Sequence, residues 1–118
     1  MKPLGLHGTG STPFEAFEFS LLLIRSLAEP LASLDRRDPD LARQLRRAAA
    51  SVSLNLSEGN RRIGKDRIHL WRVAAGSADE VVASLRVAEA FGHLKGQATA
   101  EALVLCDRVL AMLWRLTH

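Results

Sequence analysis

A basic segment at residues 61–67 is the part of the chain best suited to contact a charged partner. It places four cations within seven residues and contains one apolar side chain, Ile63. Its cations are Arg61, Arg62, Lys65 and Arg67. Because such a segment can bind phosphates without reading base sequence, we expect nucleic acid to bind here, aided by the exposed Arg43 and Arg46. The alternative is a solvated helix start whose cations pair with Asp66.

A row of polar side chains follows one face of the second predicted helix. This polar row consists of Arg47, Ser51, Asn55 and Glu58. Their spacing places them within an arc of about 80°, beside the apolar face of the helix. Possible partners on the third predicted helix are Ser77, Glu80 and Ser84. Since buried polar groups need partners, we expect Arg to pair with Glu and Asn with Ser. This favours a structural seam, fixing helix register or a subunit interface, over a catalytic pocket that uses Glu58 and Glu80.

The other candidate residues favour structural roles over chemistry. Gly76 lies within the longest predicted helix, where we expect another backbone to approach closely. Trp71 and Cys106 lie on apolar faces, so we expect both to be buried. Asp66 and His69 share a helix face, but two ligands without a third make a poor metal site. Common phosphate-loop, nucleophile-elbow and zinc-protease motifs are absent from the sequence. We therefore expect no enzyme activity, no cofactor and no metal.

Composition and charge predict a single domain with one strongly basic region. The chain has 118 residues and a formal net charge of +3. Residues 36–72 hold ten basic and four acidic side chains, a net charge of +6, which suits a polyanionic partner. One cysteine excludes a disulfide framework, and the most apolar run, residues 19–24, is too short to cross a membrane. We expect a cytoplasmic protein.

Capping residues and prolines mark the first two of four predicted helices. Thr12-Pro13 opens the first helix, which Pro30 should kink or end early. Asp38-Pro39 opens the second helix, and Gly59 is expected to end it.

The third predicted helix is the longest and spans about residues 65–91. The fourth continues from a cap at Thr99 to the end of the chain. Four helices with short connections predict an all-α, antiparallel, up-down four-helix bundle over residues 12–118. We expect residues 1–11 to form a flexible N-terminal tail.

Two stretches resemble the signature of the bacterial four-helix bundle proteins encoded in 23S rRNA intervening sequences. Residues 44–62 read QLRRAAASVSLNLSEGNRR and match an Arg-Ala…Ser…Asn-x-x-Glu-Gly pattern followed by a basic loop. Residues 69–80 read HLWRVAAGSADE and match an Ala-x-Gly-Ser-x-x-Glu segment. The resemblance runs from about Phe14 to His118, with Ser57 where the family usually has Ala. The matched positions are Arg47, Ser51, Asn55, Glu58, Gly76, Ser77 and Glu80.

The resemblance implies a ring-like homopentamer and carries over no catalytic residues. It also implies a relative in the accessory variability determinant of diversity-generating retroelements, which works with a reverse transcriptase and nucleic acid. With the basic segment, it predicts a non-enzymatic oligomeric scaffold that binds RNA or DNA electrostatically, with weak sequence selectivity. No aromatic residue lies within the basic segment, so a base-stacking platform is not indicated. The alternative is a protein-interaction adaptor that docks an acidic partner, such as an enzyme encoded nearby.

Overall fold

The computed structural model describes residues 12–118, which form a compact arrangement of five α-helices without strands. The helices are α1 (Pro13–Ser26), α2 (Ala28–Arg37), α3 (Pro39–Asn60), α4 (Gly64–Ala90) and α5 (Gly96–Thr117). The predicted all-α class is therefore confirmed. The tail predicted at residues 1–11 lies outside the described residues.

The first predicted helix is in fact two helices, α1 and α2, so the predicted number of four was wrong. The break lies at Leu27, one turn before Pro30. Pro30 has no N–H to donate to the carbonyl of Ser26, and its ring crowds that carbonyl. The helical pattern resumes at once, because the N–H of Leu31 donates to the carbonyl of Leu27 over 2.8 Å. Pro30 thus interrupts this part of the chain, as expected.

Other predicted helix ends are confirmed to within a residue, with one exception. Thr12 forms the expected capping box with Glu15, and Asp38 accepts a hydrogen bond from the N–H of Leu41. Thr99 does not cap α5, which begins three residues earlier. Its buried hydroxyl instead donates to the carboxylate of Glu89 over 2.6 Å. Thr99 was therefore wrongly predicted as a cap, because it ties α5 to α4 instead.

Neighbouring helices run in opposite directions, as the order of their contacts demonstrates. Contacts between α3 and α4 join Arg67 to Gly59, Trp71 to Leu56, and Ser77 to Ser51. Contacts between α4 and α5 join Arg72 to Thr117, and Glu89 to Thr99. In both sets the residue number rises along one helix while it falls along the other. Helix α1 contacts both α3 and α5, which closes the arrangement.

Two clusters of buried apolar side chains fill the interior. One cluster includes Phe19, Val52, Trp71, Val109 and Leu113, near the α3–α4 connection. The other includes Leu27, Leu34, Leu45, Leu85 and Cys106, toward the α4–α5 connection. Trp71 and Cys106 are both buried, as expected. Within residues 12–118, no helix is long and apolar enough to span a membrane.

Candidate nucleic-acid interface and polar groove

The basic segment forms the connection between α3 and α4. Helix α3 ends at Asn60, and α4 begins at Gly64, whose φ of 60° is a left-handed conformation that glycine adopts without strain. The backbone N–H groups of Arg61 and Arg62 donate to the last carbonyls of α3. Because these bonds fix the backbone, the side chains of this segment leave the end of the molecule in defined directions.

Close packing of Trp71 on Gly59 holds the two helices together below the basic segment. The indole Nε1 of Trp71 donates to the carbonyl of Leu56 over 3.4 Å. A Cβ atom at Gly59 would lie 2.5 Å from the same nitrogen. Gly59 is therefore required for helix packing, whereas the sequence indicated only a helix stop.

Arg67 is built into this junction. Its guanidinium donates to the carbonyls of Gly59 and Asn60, over 3.1 Å each, and lies over the ring of Trp71 at 5.3 Å. These bonds satisfy carbonyls at the end of α3, where the helix dipole also favours a cation. Arg67 has a structural role, but its carbonyl partners leave its positive charge without a neutralising anion.

The other three cations of the segment differ in how freely they can meet a partner. Arg62 forms an ion pair with Glu58 at 2.8 Å. Arg61 and Lys65 are exposed and take part in no ion pair within residues 12–118. The alternative expectation of pairs with Asp66 is wrong, because no ion pair of the described residues involves that carboxylate. Arg61 and Lys65 are therefore fully available to bind a partner.

Arg43 and Arg46 lie near the start of α3, far from the basic segment. Fifteen residues of helix separate Arg46 from Arg61, a rise of about 22 Å. Arg43 pairs with Asp40, and Arg46 forms two hydrogen bonds to Asp35, at 2.7 and 2.8 Å. The hydrogen bond from Arg46 is the main reason that the pKa of Asp35 is lowered from its ordinary value. The fold therefore separates the six predicted contact residues into two groups.

Two residues of the polar row, Arg47 and Ser51, line a groove between α3 and α4. The hydroxyl oxygens of Ser51 and Ser77 are 2.7 Å apart and share a hydrogen bond. The Asn55 amide donates to the backbone carbonyl and the hydroxyl of Ser51, over 2.9 and 3.0 Å. The predicted pairing of Asn with a Ser of the neighbouring helix is therefore wrong, because Asn55 bonds within α3 and Ser51 makes the contact with α4. Glu58 does not join this network, because it pairs with Arg62 instead.

Arg47 and Glu80 line the same groove, whose volume is about 580 Å³. Both are exposed, and neither belongs to any ion pair of the described residues. The predicted Arg–Glu pair is therefore not formed within one chain. The lining of the groove also includes Ser84, Leu41 and Val87, so it combines charged and apolar groups.

Gly76 lies on the outer surface of α4 rather than against another helix. A Cβ atom there would have no neighbour within 4 Å. The expectation of a close backbone approach is wrong within the chain, because α3 and α5 pack on other faces of α4.

One exposed aromatic residue that the sequence analysis did not consider lies one helical turn from a residue that Arg72 contacts. The guanidinium of Arg72 donates to the carbonyl of Thr117 over 3.4 Å, which joins the start of α4 to the last turn of α5. Trp114, one turn before Thr117, is 62 % exposed and stacks on His118. The only sequence signal was a tryptophan at an outward position of the α5 helical pattern.

Metal binding and thiol chemistry find no support in the described residues. Residues 12–118 hold no group of three or more His, Cys, Asp or Glu side chains that could ligate a metal. Burial raises the pKa of the Cys106 thiol to about 12, so very little thiolate exists near neutral pH.

Comparison with known proteins gives one match. A family model described as 23S rRNA-intervening sequence protein matches residues 15–115. This range includes the basic segment, the polar row and the residues that line the groove. No curated protein and no solved structure matches the chain.

Proposed function

Because the chain belongs to the 23S rRNA-intervening sequence protein family, we propose that it is a non-enzymatic, homo-oligomeric scaffold that binds nucleic acid through its basic end. Binding is electrostatic and has weak sequence selectivity, since phosphates are contacted rather than base edges. The proposed location is the cytoplasm.

The availability of the cations at the α3–α4 connection carries this proposal. Arg61 and Lys65 are exposed and have no ion-pair partner among residues 12–118, and Arg67 keeps its charge beside them. Arg62 contributes less than these three, because it already forms an ion pair with Glu58. Arg43 and Arg46 contribute less in this proposal, since each already contacts a carboxylate.

Assembly gives this small basic end enough contacts for useful affinity. One chain offers four cations in the basic segment, and a ring of copies presents that set once per subunit to the same strand. The proposed subunit is an up-down four-helix bundle in which α1 and α2 together form one arm. We assign the α3–α4 groove to the contact between subunits, because Arg47 and Glu80 line it and take part in no ion pair within the described part of the chain.

A protein-interaction adaptor is the second candidate, and the groove is the observation that favours it. The groove combines Arg47 and Glu80, which are in no ion pair of residues 12–118, with the apolar Leu41 and Val87. This combination is typical of protein-binding surfaces. An acidic protein partner would use the same unpaired cations as a nucleic acid.

Fluorescence anisotropy with labelled RNA and labelled duplex DNA tests the proposal, with the oligomer mass measured in the same buffer. We expect binding at low salt to both nucleic acids, and a log–log salt slope that corresponds to several phosphates. An assembly larger than one chain is expected throughout the titration. The absence of binding at low salt would contradict the nucleic-acid function and leave the adaptor.

A further inference from the structure

The surface between the start of α4 and the end of α5 combines positive charge with an exposed aromatic ring. The first turns of α4 line a shallow depression of about 680 Å³. Its lining residues are Gly64, Lys65, Arg67, Ile68, His69 and Arg72. Lys65, His69 and Arg72 are spaced by four and three residues, so they lie along one exposed face of α4.

Trp114 lies on the side of α5 that adjoins this basic face. Thr117, which accepts the hydrogen bond from Arg72, marks the α4 side of the helix. Trp114 precedes it by three residues and is therefore about 60° away around the helix axis. Arg108, whose guanidinium lies over the Phe19 ring of α1 at 6.0 Å, marks the opposite side. The indole is thus next to the cations of α4 and away from α1.

The environment of Trp114 differs from that of the other tryptophan. Trp71 is 4 % exposed and its indole nitrogen donates to a carbonyl, so its role is packing. Trp114 is 62 % exposed, although His118 stacks on it with a centroid distance of 4.2 Å and an interplanar angle of 6°. The stacked imidazole demonstrates that a flat ring fits against this indole, and the exposure leaves room for another.

We propose that this surface binds single-stranded nucleic acid, with an unpaired base stacked on Trp114 and the adjoining phosphates on Arg72 and Lys65. The proposal rests on the nucleic-acid function above and adds a preference for one form of the ligand. Bases in a duplex are already stacked on their neighbours, so only a single strand can place a base face against the indole. Cations beside an aromatic platform are the usual combination in proteins that bind single strands.

The test compares the intact protein with a Trp114→Leu variant, which keeps an apolar side chain but removes the aromatic face. The probes are fluorescein-labelled oligouridine, oligothymidine and a mixed-sequence duplex of equal length. For both single strands we expect Trp114→Leu to weaken binding about tenfold, within the range measured for base–aromatic stacking. Duplex affinity should change less than twofold. Trp114→Phe should keep most of the affinity for single strands.

Intrinsic fluorescence and a matched control locate the effect. Single strands should quench the fluorescence of the wild type, and the quenching should disappear in Trp114→Leu because Trp71 is buried. The control is Phe91→Leu, since Phe91 is 67 % exposed and also stacks on a histidine, but lies at the opposite end of α4. Its affinity for all three probes should equal that of the wild type.

The outcomes separate this proposal from the broader function. Unchanged binding of single strands by Trp114→Leu would overturn the stacking site, while the basic end would still account for binding. Binding of the duplex but of neither single strand would also overturn the stacking site. A drop in oligomer mass for Trp114→Leu would overturn the site as well, because Trp114 would then lie between subunits. Failure of the wild type to bind any probe would contradict both proposals.

Discussion

The two ends of helix α4 carry similar side chains and use them differently. Near its start, Arg61 and Lys65 are exposed and take part in no ion pair of the described residues, and Trp114 stacks on His118. Near its end, Phe91 stacks on His93. Three arginines near that end are paired, Arg86 with Glu89, Arg46 with Asp35 and Arg43 with Asp40. The same end also holds cations that are exposed and in no ion pair of residues 12–118, namely Arg36, Arg37 and Lys95.

The number of positive charges therefore does not indicate where a polyanion can bind. What matters is whether the carboxylates of the fold reach them. The end of α4 meets the end of α2 and the start of α3, which supply Asp35, Asp38 and Asp40. Its start meets Glu58, which reaches one arginine only. The fold thus pairs three of the arginines near the end of α4 with carboxylates, and one of those near its start.

The largest expected effect is on the free energy of unfolding and tests the packing of Trp71 on Gly59, which supports the basic segment. Gly59→Ala should destabilise the protein by about 1–3 kcal/mol, because the new methyl group overlaps the Trp71 indole. Gly76→Ala is the control, since its methyl group has open space and should stabilise the helix by about 1 kcal/mol. Urea unfolding followed by circular dichroism measures both. Equal effects of the two substitutions would contradict the role assigned to Gly59.

The groove between the two ends provides the next test. Glu80→Leu and Asn55→Leu should each weaken self-association about tenfold, or ~1.4 kcal/mol, while helix content is retained. Glu80→Leu removes a charged group that lines the groove, and Asn55→Leu removes the amide that is bonded to Ser51 in its lining. Asp79→Leu is the matched control, because Asp79 is exposed beside Glu80 but does not line the groove. Sedimentation as a function of protein concentration measures the effect. Wild-type association of both variants would exclude the groove as an assembly surface.

The sequence predicted the elements of this fold better than their tertiary partners. Thr12, Asp38 and Pro30 act locally, through caps and a missing N–H, so their effects could be predicted from neighbouring residues. Thr99 carries the same capping signal as Thr12, but its hydroxyl binds Glu89 on another helix. A local pattern contains no information about that contact.

The candidate site was predicted in part for the same reason. The basic segment is contiguous, so its position at one end followed from the helix boundaries. The neutralisation of Arg46 by Asp35, eleven residues earlier, depends on the bend that Pro30 introduces. Trp114 lies far from the basic segment in sequence, and its helix meets the start of α4 only because α4 and α5 are antiparallel.

A smaller effect on stability should distinguish Arg67, which has a structural role in the basic segment, from the exposed Arg61. Arg67→Met removes hydrogen bonds to two carbonyls and should destabilise the protein by about 1 kcal/mol. Arg61→Met removes the same charge without losing such bonds and should leave stability unchanged. Urea midpoints measured at one protein concentration compare them. An equal loss of stability in both variants would remove the distinction.

The smallest expected effect is on the pH dependence of stability and arises from the pair of Asp35 with Arg46. Because the pKa of Asp35 is lowered in the folded protein, its contribution to stability is full above the unfolded value of 3.8. That contribution is lost as pH falls through the lower, folded pKa. Asp35→Asn should therefore reduce stability slightly at pH 7 and flatten its decline in acid. Urea midpoints between pH 7 and pH 2 test this, and parallel profiles for variant and wild type would contradict it.

The most direct test of the account removes equal charge from the two ends and compares salt dependence. One variant carries Arg61→Gln, Arg62→Gln and Lys65→Gln, and the other carries Arg43→Gln, Arg46→Gln and Arg86→Gln. Arg67 is kept in both because it supports the fold.

Both variants are titrated with labelled RNA over a range of salt concentrations, after circular dichroism and mass confirm the assembly. We predict that the log–log salt slope of the first variant falls by about 1–2 for each subunit in contact with the strand, mainly because the charges of Arg61 and Lys65 are lost. The slope of the second should fall by less than one, since its arginines already contact carboxylates. Equal losses of slope in the two variants would contradict the claim that cations already paired with carboxylates are less available to nucleic acid.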